Sequence, residues 1–309
     1  MDSSSHPTFA VTDPARAEID FTRRFGGVAR LYGEAALQRF RSAHVCVIGV
    51  GGVGSWIVEA LARSAIGQIT MIDLDNLAES NINRQIHALS ATLGQAKVTA
   101  LAERIAQINP TCRVNQIEDF IDADNLDQMI GTQQYDFIVD AIDNVRAKTA
   151  LIAYCRTHKL KLITIGGAGG QTDPTKIEVR DLCRTEQEPL LAKVRKRLRS
   201  EHGFPRGTKN KFGIDAVFST EPLRFPDLAS EDSATQINDA IDGMVDDSAD
   251  DPANPANPAV KHGAALPTQP GVTGLNCAGF GSAMVVTAAF GLVAAAQVLN
   301  RLAAEVSGS

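Results

Sequence analysis

The segment Gly49-Val50-Gly51-Gly52-Val53-Gly54-Ser55 constrains this chain more than any other. It follows a short apolar run, His44 to Ile48, that reads as a buried strand, and it precedes a helical stretch from Gly54 to Ala65. In that strand–turn–helix setting the glycines allow a tight turn and let the backbone approach phosphate groups. The free N–H groups at the helix start attract anions. Asp73 closes a second strand, Gln68 to Leu74, 24 residues after Gly49, where a carboxylate can accept hydrogen bonds from ribose hydroxyls. Together these features mean a nucleotide. A dehydrogenase would show them equally, and a turn of this kind can also be purely structural.

The alternation continues. Val98, Leu101, Ala102, Ile105 and Ile108 recur at helical period and stop at Asn109-Pro110. Arg113 to Glu118, Tyr135 to Ala141 and Lys161 to Ile165 read as strands, with helices between them, the last from about Val145 to Lys159. The fold class expected is α/β: a Rossmann-like, mainly parallel sheet with helices on both faces.

Three further features narrow the nucleotide chemistry. Ser80-Asn81-Ile82-Asn83-Arg84-Gln85 is polar and poorly helical, and follows the second strand closely. Lys97 lies 13 residues beyond Arg84, at the start of a helix, and Asp140-Ala141-Ile142-Asp143-Asn144 ends a strand. Strand carboxyl ends face the ligand crevice of an open parallel sheet, so Asp143 is placed to hold Mg²⁺ near an α-phosphate. Each has a plainer reading: Arg84 and Lys97 as solvated charges, Asp143 as a helix cap. Jointly, two cations and a carboxylate around one phosphate loop suit nucleotidyl transfer, whose transition state spreads negative charge over phosphate oxygens. Hydride transfer has no comparable need.

Charge is segregated along the chain. Eight Lys/Arg fall between Lys193 and Lys211 against the single acid Glu201, whereas Asp227 to Asp251 holds nine acids and no base. Residues 227–270, acidic and rich in Pro and Ala, read as a flexible insertion, and residues 1–20 as a disordered N-terminus. The adenylation domain would then comprise residues 21–226 plus 271–303. Residues 272–299 carry no charge, and their glycines and alanines favour a buried core or dimer-interface helix over a membrane segment. The five cysteines form no Cys-x-x-Cys pair, so no zinc site is expected. That usage, with no apolar leader at the N-terminus, implies the cytoplasm; membrane association through 272–299 is the alternative.

The Gly49–Ser55 turn with Asp73, Ser80-Asn81, Arg84-Gln85, Lys97 and Asp143-Asn144 resembles the ubiquitin-activating-enzyme-like (ThiF/MoeB-type) adenylyltransferases. More narrowly, Arg24-Phe25-Gly26-Gly27, Arg30-Leu31-Tyr32-Gly33, the run Asn83 to Leu89 and the run Ala150 to Arg156 resemble its tRNA threonylcarbamoyladenosine dehydratase branch. So do Gly166 to Gln171 and Val217 to Glu221. The resemblance covers about Arg23 to Pro226 and resumes from Asn276 to Leu299. It implies a homodimer that uses ATP and Mg²⁺ to adenylate the threonyl carboxylate of N6-threonylcarbamoyladenosine at tRNA position 37. The ureido group of the same base would then close a ring and release AMP. It further implies that Gly49, Gly51, Gly52 and Gly54 cradle phosphates and that Asp73 holds ribose. Asn81 and Arg84 would hold the triphosphate, Lys97 the developing phosphate charge, and Asp143 the metal. Sulfur-relay proteins are implied as partners.

Two departures from relatives bear on the acceptor. Sulfur-carrier activators often carry paired zinc cysteines, which this chain lacks, and some relatives use a catalytic thiol. Cys183 and Cys277 are candidates for that thiol by location only, and an intramolecular ring closure needs no thioester. Arg24 and Arg30 are candidates for an arginine acting across a dimer. The basic run Lys193 to Lys211 suits a tRNA backbone or an exposed amphipathic helix, and Gly166 to Gly170 either lines the substrate side or is a bare loop. The main alternative activity is adenylation of a ubiquitin-like sulfur carrier. An NAD-dependent oxidoreductase would not need Arg84, and a non-catalytic scaffold would tolerate loss of Arg84, Lys97 and Asp143.

Overall fold

The computed structural model describes residues 19–224 and 280–307. The expected insertion 227–270, Cys277 and the first 18 residues lie outside the described residues. Seven strands form one sheet in the order β3-β2-β1-β4-β5-β7-β6: β1 His44–Ile48, β2 Gln68–Ile72, β3 Arg113–Ile117, β4 Phe137–Asp140, β5 Leu162–Ile165, β6 Ile177–Asp181 and β7 Asp215–Ser219. All neighbouring pairs are parallel except β6 and β7. Central strands of a parallel sheet are covered on both faces and read as unbroken apolar runs. Accordingly every residue of β1, β4 and β5 is buried.

Helices α1 Phe21–Tyr32, α2 Glu34–Ser42, α3 Gly54–Arg63, α4 Lys97–Ile108, α5 Leu126–Met129, α6 Val145–Thr157, α7 Pro189–Glu201 and α8 Met284–Ser307 cover the sheet. Val98, Leu101 and Ile105 bury the inner stripe of α4, as its periodicity predicts. The helix ends at Asn109, whose side-chain amide donates to the Ile66 carbonyl. At the start of α6 the Asn144 side-chain Oδ1 accepts from the Arg146 and Ala147 amides, both at 3.0 Å, an N-cap that starts the helix directly after Asp143.

Helix α8 is long and apolar enough to cross a membrane by length and composition. It nevertheless packs on α2 and α3, with Val286, Phe290, Ala294, Val298 and Leu302 buried. Contact is close at Gly291, where a Cβ would lie 2.7 Å from the Val53 carbonyl oxygen. At its far end Glu305 pairs with Arg39 at 2.9 Å. The uncharged run of the sequence is thus, over its described part, a core helix.

From β1 the chain builds β2 and β3 on one side and then returns to place β4 on the other. Between the carboxyl ends of β1 and β4 lies the topological switch point where sheets of this kind bind ligands.

Candidate active site

The glycine-rich turn leaves β1 at this switch point. Gly49 has φ +80°, a conformation that favours glycine, and a Cβ there would sit 2.8 Å from the Ala141 carbonyl oxygen at the end of β4. A Cβ on Gly54 would fall 1.8 Å from the Gly49 carbonyl oxygen. The turn therefore closes only with glycine at both ends. Its orientation is set from β2: Asp73 Oδ2 accepts from the Val50 amide at 2.8 Å, and Oδ1 accepts from the Asp75 amide at 3.0 Å.

A cavity of about 930 Å³ opens over the turn. The structure brings to it every site residue expected from sequence except the buried Gly54, which shapes the turn from behind: Gly49, Gly51, Gly52, Asp73, Asn81, Arg84, Lys97 and Asp143 all line it. Arg84 lies across the turn, its Cδ 3.2 Å from where a Gly52 Cβ would be. Nη1 donates to the Ser80 carbonyl at 2.6 Å and to Asn83 Oδ1 at 3.0 Å, while the buried Nε has no partner among the described residues. Asn81 Oδ1 accepts from the Ala78 amide at 3.1 Å. Lys97 is buried, with Nζ 2.6 Å from Asp75 and 3.6 Å from Asp73. Asp143 is exposed at the rim, yet the surrounding walls withdraw it from water and raise its carboxyl, an effect that Lys148 and Lys97 oppose.

Sequence reasoning missed the layer beneath. Lys148 and Asp140 form a fully buried ion pair at 2.8 Å, and Thr164 Oγ1 donates to Asp140 at 2.7 Å, tying α6, β4 and β5 together under Asp143. Glu188 caps α7 and also accepts from the Gly167 amide at 2.8 Å. Burial raises its carboxyl, against the pull of the amides of Leu191, Gly167 and Leu190 and of Lys148. Gly166, Gly167 and Ala168 face the cavity through this clamp. Phe120, 56% exposed, stands at the same rim. Of this layer the sequence signalled Asp140, at the end of its strand, and Gly166 to Gly170, expected either to line the substrate side or to be a bare loop; Gly166, Gly167 and Ala168 do line the cavity.

Other candidates lie apart. Cys183 is buried against the Thr208 carbonyl, and burial raises its thiol, which disfavours a thiolate nucleophile. Arg24 donates to the Gln107 and Ile108 carbonyls at the end of α4, and Arg30 is exposed beside Gly26. Neither reaches the cavity of its own chain. Among the described residues no group of three His, Cys, Asp or Glu side chains is arranged to hold a metal.

The ThiF family model matches residues 25–307. The chain belongs to the ThiF family. It is 48% identical over 286 residues to the tRNA threonylcarbamoyladenosine dehydratase of Escherichia coli, covering 92% of this chain and 95% of the relative. The protein of the same name from Haemophilus influenzae is 46% identical, with 93% and 96% covered. The crystal structure of the E. coli enzyme in complex with ATP superposes with a TM-score of 0.75 at 44% identity, covering 97% of this chain and 100% of that one. The mainly parallel sheet is therefore the adenylation fold of this ThiF-family group. Among the activities weighed from sequence, these matches favour tRNA modification over sulfur-carrier activation.

Proposed function

We propose that this chain is an ATP-dependent tRNA threonylcarbamoyladenosine dehydratase, which adenylates the threonyl carboxylate and lets the tethered ureido group displace AMP. The observation that carries the reading is the convergence of Arg84, Lys97 and Asp143 on the glycine-rich turn at the switch point. The residues fit ATP. The orphaned Arg84 Nε supplies a donor that a phosphate oxygen would satisfy, and the turn presents backbone N–H groups where a side chain would clash. Lys97 is paired mainly with the solvent-exposed Asp75, a partner that a phosphate can replace. Mg²⁺ characteristically takes one or two carboxylates plus phosphate oxygens, and Asp143 at the cavity rim can supply one.

In this reading Asp73 orients the turn and holds ribose, and Asn81 and Arg84 hold the triphosphate. Lys97 offsets charge as the carboxylate oxygen bonds to the α-phosphorus and pyrophosphate leaves. Attack of the ureido group on the resulting acyl carbon expels AMP, with a proton lost to solvent, so the base loses one water overall. Ring closure has its nucleophile tethered, consistent with a buried Cys183. A tRNA substrate supports a cytoplasmic location. The homodimer and sulfur-relay partners rest on family resemblance.

The test is mass spectrometry of nucleosides from threonylcarbamoylated tRNA incubated with the protein, ATP and Mg²⁺. A loss of one water is expected, and Arg84→Ala and Asp143→Ala should abolish it while circular dichroism stays unchanged. An unchanged nucleoside mass with the unaltered protein would overturn the reading. An adenylated carrier-protein tail would instead favour the sulfur-carrier alternative.

A further inference from the structure

The basic run Lys193 to Lys211 looks uniform in sequence, but the structure divides it. On α7 three arginines have contacts within the protein, although the Nε atoms of Arg197 and Arg199 keep no hydrogen-bond partner among the described residues. Arg197 pairs with Glu201 at 2.9 Å, the Arg199 guanidinium lies 5.5 Å from the Phe212 ring centroid, and Arg195 donates to Thr185 Oγ1. The same helix buries Leu190, Leu191, Val194 and Leu198. The segment that follows, residues 202–211, behaves differently. Arg206, Lys209 and Lys211 are exposed, and among the described residues no carboxylate pairs with any of them.

This segment is nonetheless anchored. Phe204 and Phe212 are buried and meet edge-on at 4.9 Å. Asp181 accepts from the Phe212 and Gly213 amides at 3.0 and 2.8 Å. Arg184 Nε donates to the Thr208 carbonyl at 3.3 Å, and Asn210 Nδ2 to the Arg206 carbonyl at 3.1 Å. Three cations without a carboxylate partner among the described residues are thus held on a braced loop. The loop begins at the cavity itself, because Arg197, Glu201 and His202 line its mouth.

Uncompensated cations on a fixed support suit a polyanion, whose condensed counterions are released on contact. A protein that acts on one base must also hold the strand that presents it, and phosphate contacts do that positioning. We propose that the 202–211 loop, through Arg206, Lys209 and Lys211, docks the RNA backbone that delivers the substrate base to the cavity. The proposal rests on the tRNA reading of the site.

The test compares the charge-reversal variant Arg206→Glu/Lys209→Glu/Lys211→Glu with Arg113→Glu/Lys159→Glu, whose exposed charges lie at the opposite ends of β3 and α6. Binding of threonylcarbamoylated tRNA is measured against salt, ATP binding by calorimetry, and folding by melting temperature. The loop variant should lose about 100-fold or more in tRNA affinity, and its log–log salt slope should fall by about two to three, near 0.9 per phosphate contact. ATP affinity and melting temperature should stay as in the unaltered protein, and the control should bind tRNA within about threefold. Retention of tRNA affinity by the loop variant, or equal loss in the control, would overturn the proposal. Failure of the unaltered protein to dehydrate tRNA would sink the functional reading alone, because the binding comparison still decides the loop.

Discussion

Asp73 Oδ2 accepts a hydrogen bond from the Val50 amide at 2.8 Å, so the residue expected to hold ribose also sets the angle of the phosphate turn. Its other oxygen accepts from the Asp75 amide and lies 3.6 Å from Lys97 Nζ. One carboxylate therefore links the end of β2, the turn and the buried Lys97. Asp73→Asn keeps the shape but loses one acceptor and the charge. Hydrogen bonds to charged groups contribute about 1.5–3 kcal/mol, so ATP Kd should rise by about 10- to 100-fold, read by calorimetry. Unchanged ATP affinity would remove Asp73 from the nucleotide site.

Asp143 makes a prediction about pH. Withdrawal from water raises its carboxyl above the ordinary 3.8, although Lys148 and Lys97 oppose the shift. A protonated carboxyl cannot ligate Mg²⁺, so the acid limb of kcat/KM should fall above pH 3.8 and vanish with the activity in Asp143→Asn. The sign for stability is the reverse of a salt-bridged acid: the raised group favours the fold at low pH, and that contribution is lost as pH rises from 3.8 through the folded value. At neutral pH Asp143→Asn should therefore be no less stable than the unaltered protein. A clear drop in its melting temperature at pH 7 would mark Asp143 as a structural residue.

How much of this was legible in the sequence depends on how local each signal was. The turn, β1 and the stripe of α4 are local patterns, and Arg84, Lys97 and Asp143 follow elements that those patterns locate. Lys148 was not legible as a buried group, because a lysine early in an amphipathic helix reads as solvent-facing until β4 and β5 supply Asp140 and Thr164. Glu188 likewise gains its second role only when α7 meets Gly167. The antiparallel return of β6 depends on pairing with β7, a contact between distant segments. The basic run was legible as an amphipathic helix or an RNA surface, but not that Phe212 and Thr185 would engage two of its arginines. For α8, apolarity alone cannot separate lipid from a protein core.

That last ambiguity has a direct test at Gly291. A side chain there would meet the Val53 carbonyl at 2.7 Å and Trp56 Cβ at 2.9 Å, mostly atoms that rotamer changes cannot move. Overpacking of this kind costs about 1–3 kcal/mol, so Gly291→Val should lower the melting temperature by roughly 2–10 °C. Because Val53 belongs to the phosphate turn, KM for ATP should rise as well. A variant with unchanged melting temperature and KM would place α8 off the core.

Glu59 offers the complementary test of how α3 is held to α4. Its carboxylate accepts from Arg104 at 2.6 and 3.0 Å and from Arg63 at 2.7 Å. Burial alone would raise this carboxyl, but the hydrogen bonds from Arg104 and Arg63 outweigh it and bring it below the ordinary 4.5. The stabilisation is therefore complete above pH 4.5 and is lost as pH falls through the lower folded value. Glu59→Gln weakens the bonds and leaves Arg104 without its counter-charge, at a cost of about 1–3 kcal/mol at pH 7. Urea unfolding should show that gap at pH 7 and a smaller one at pH 3.5. An equal gap at both values would mean that the side chain acts through packing, with its charge contributing nothing.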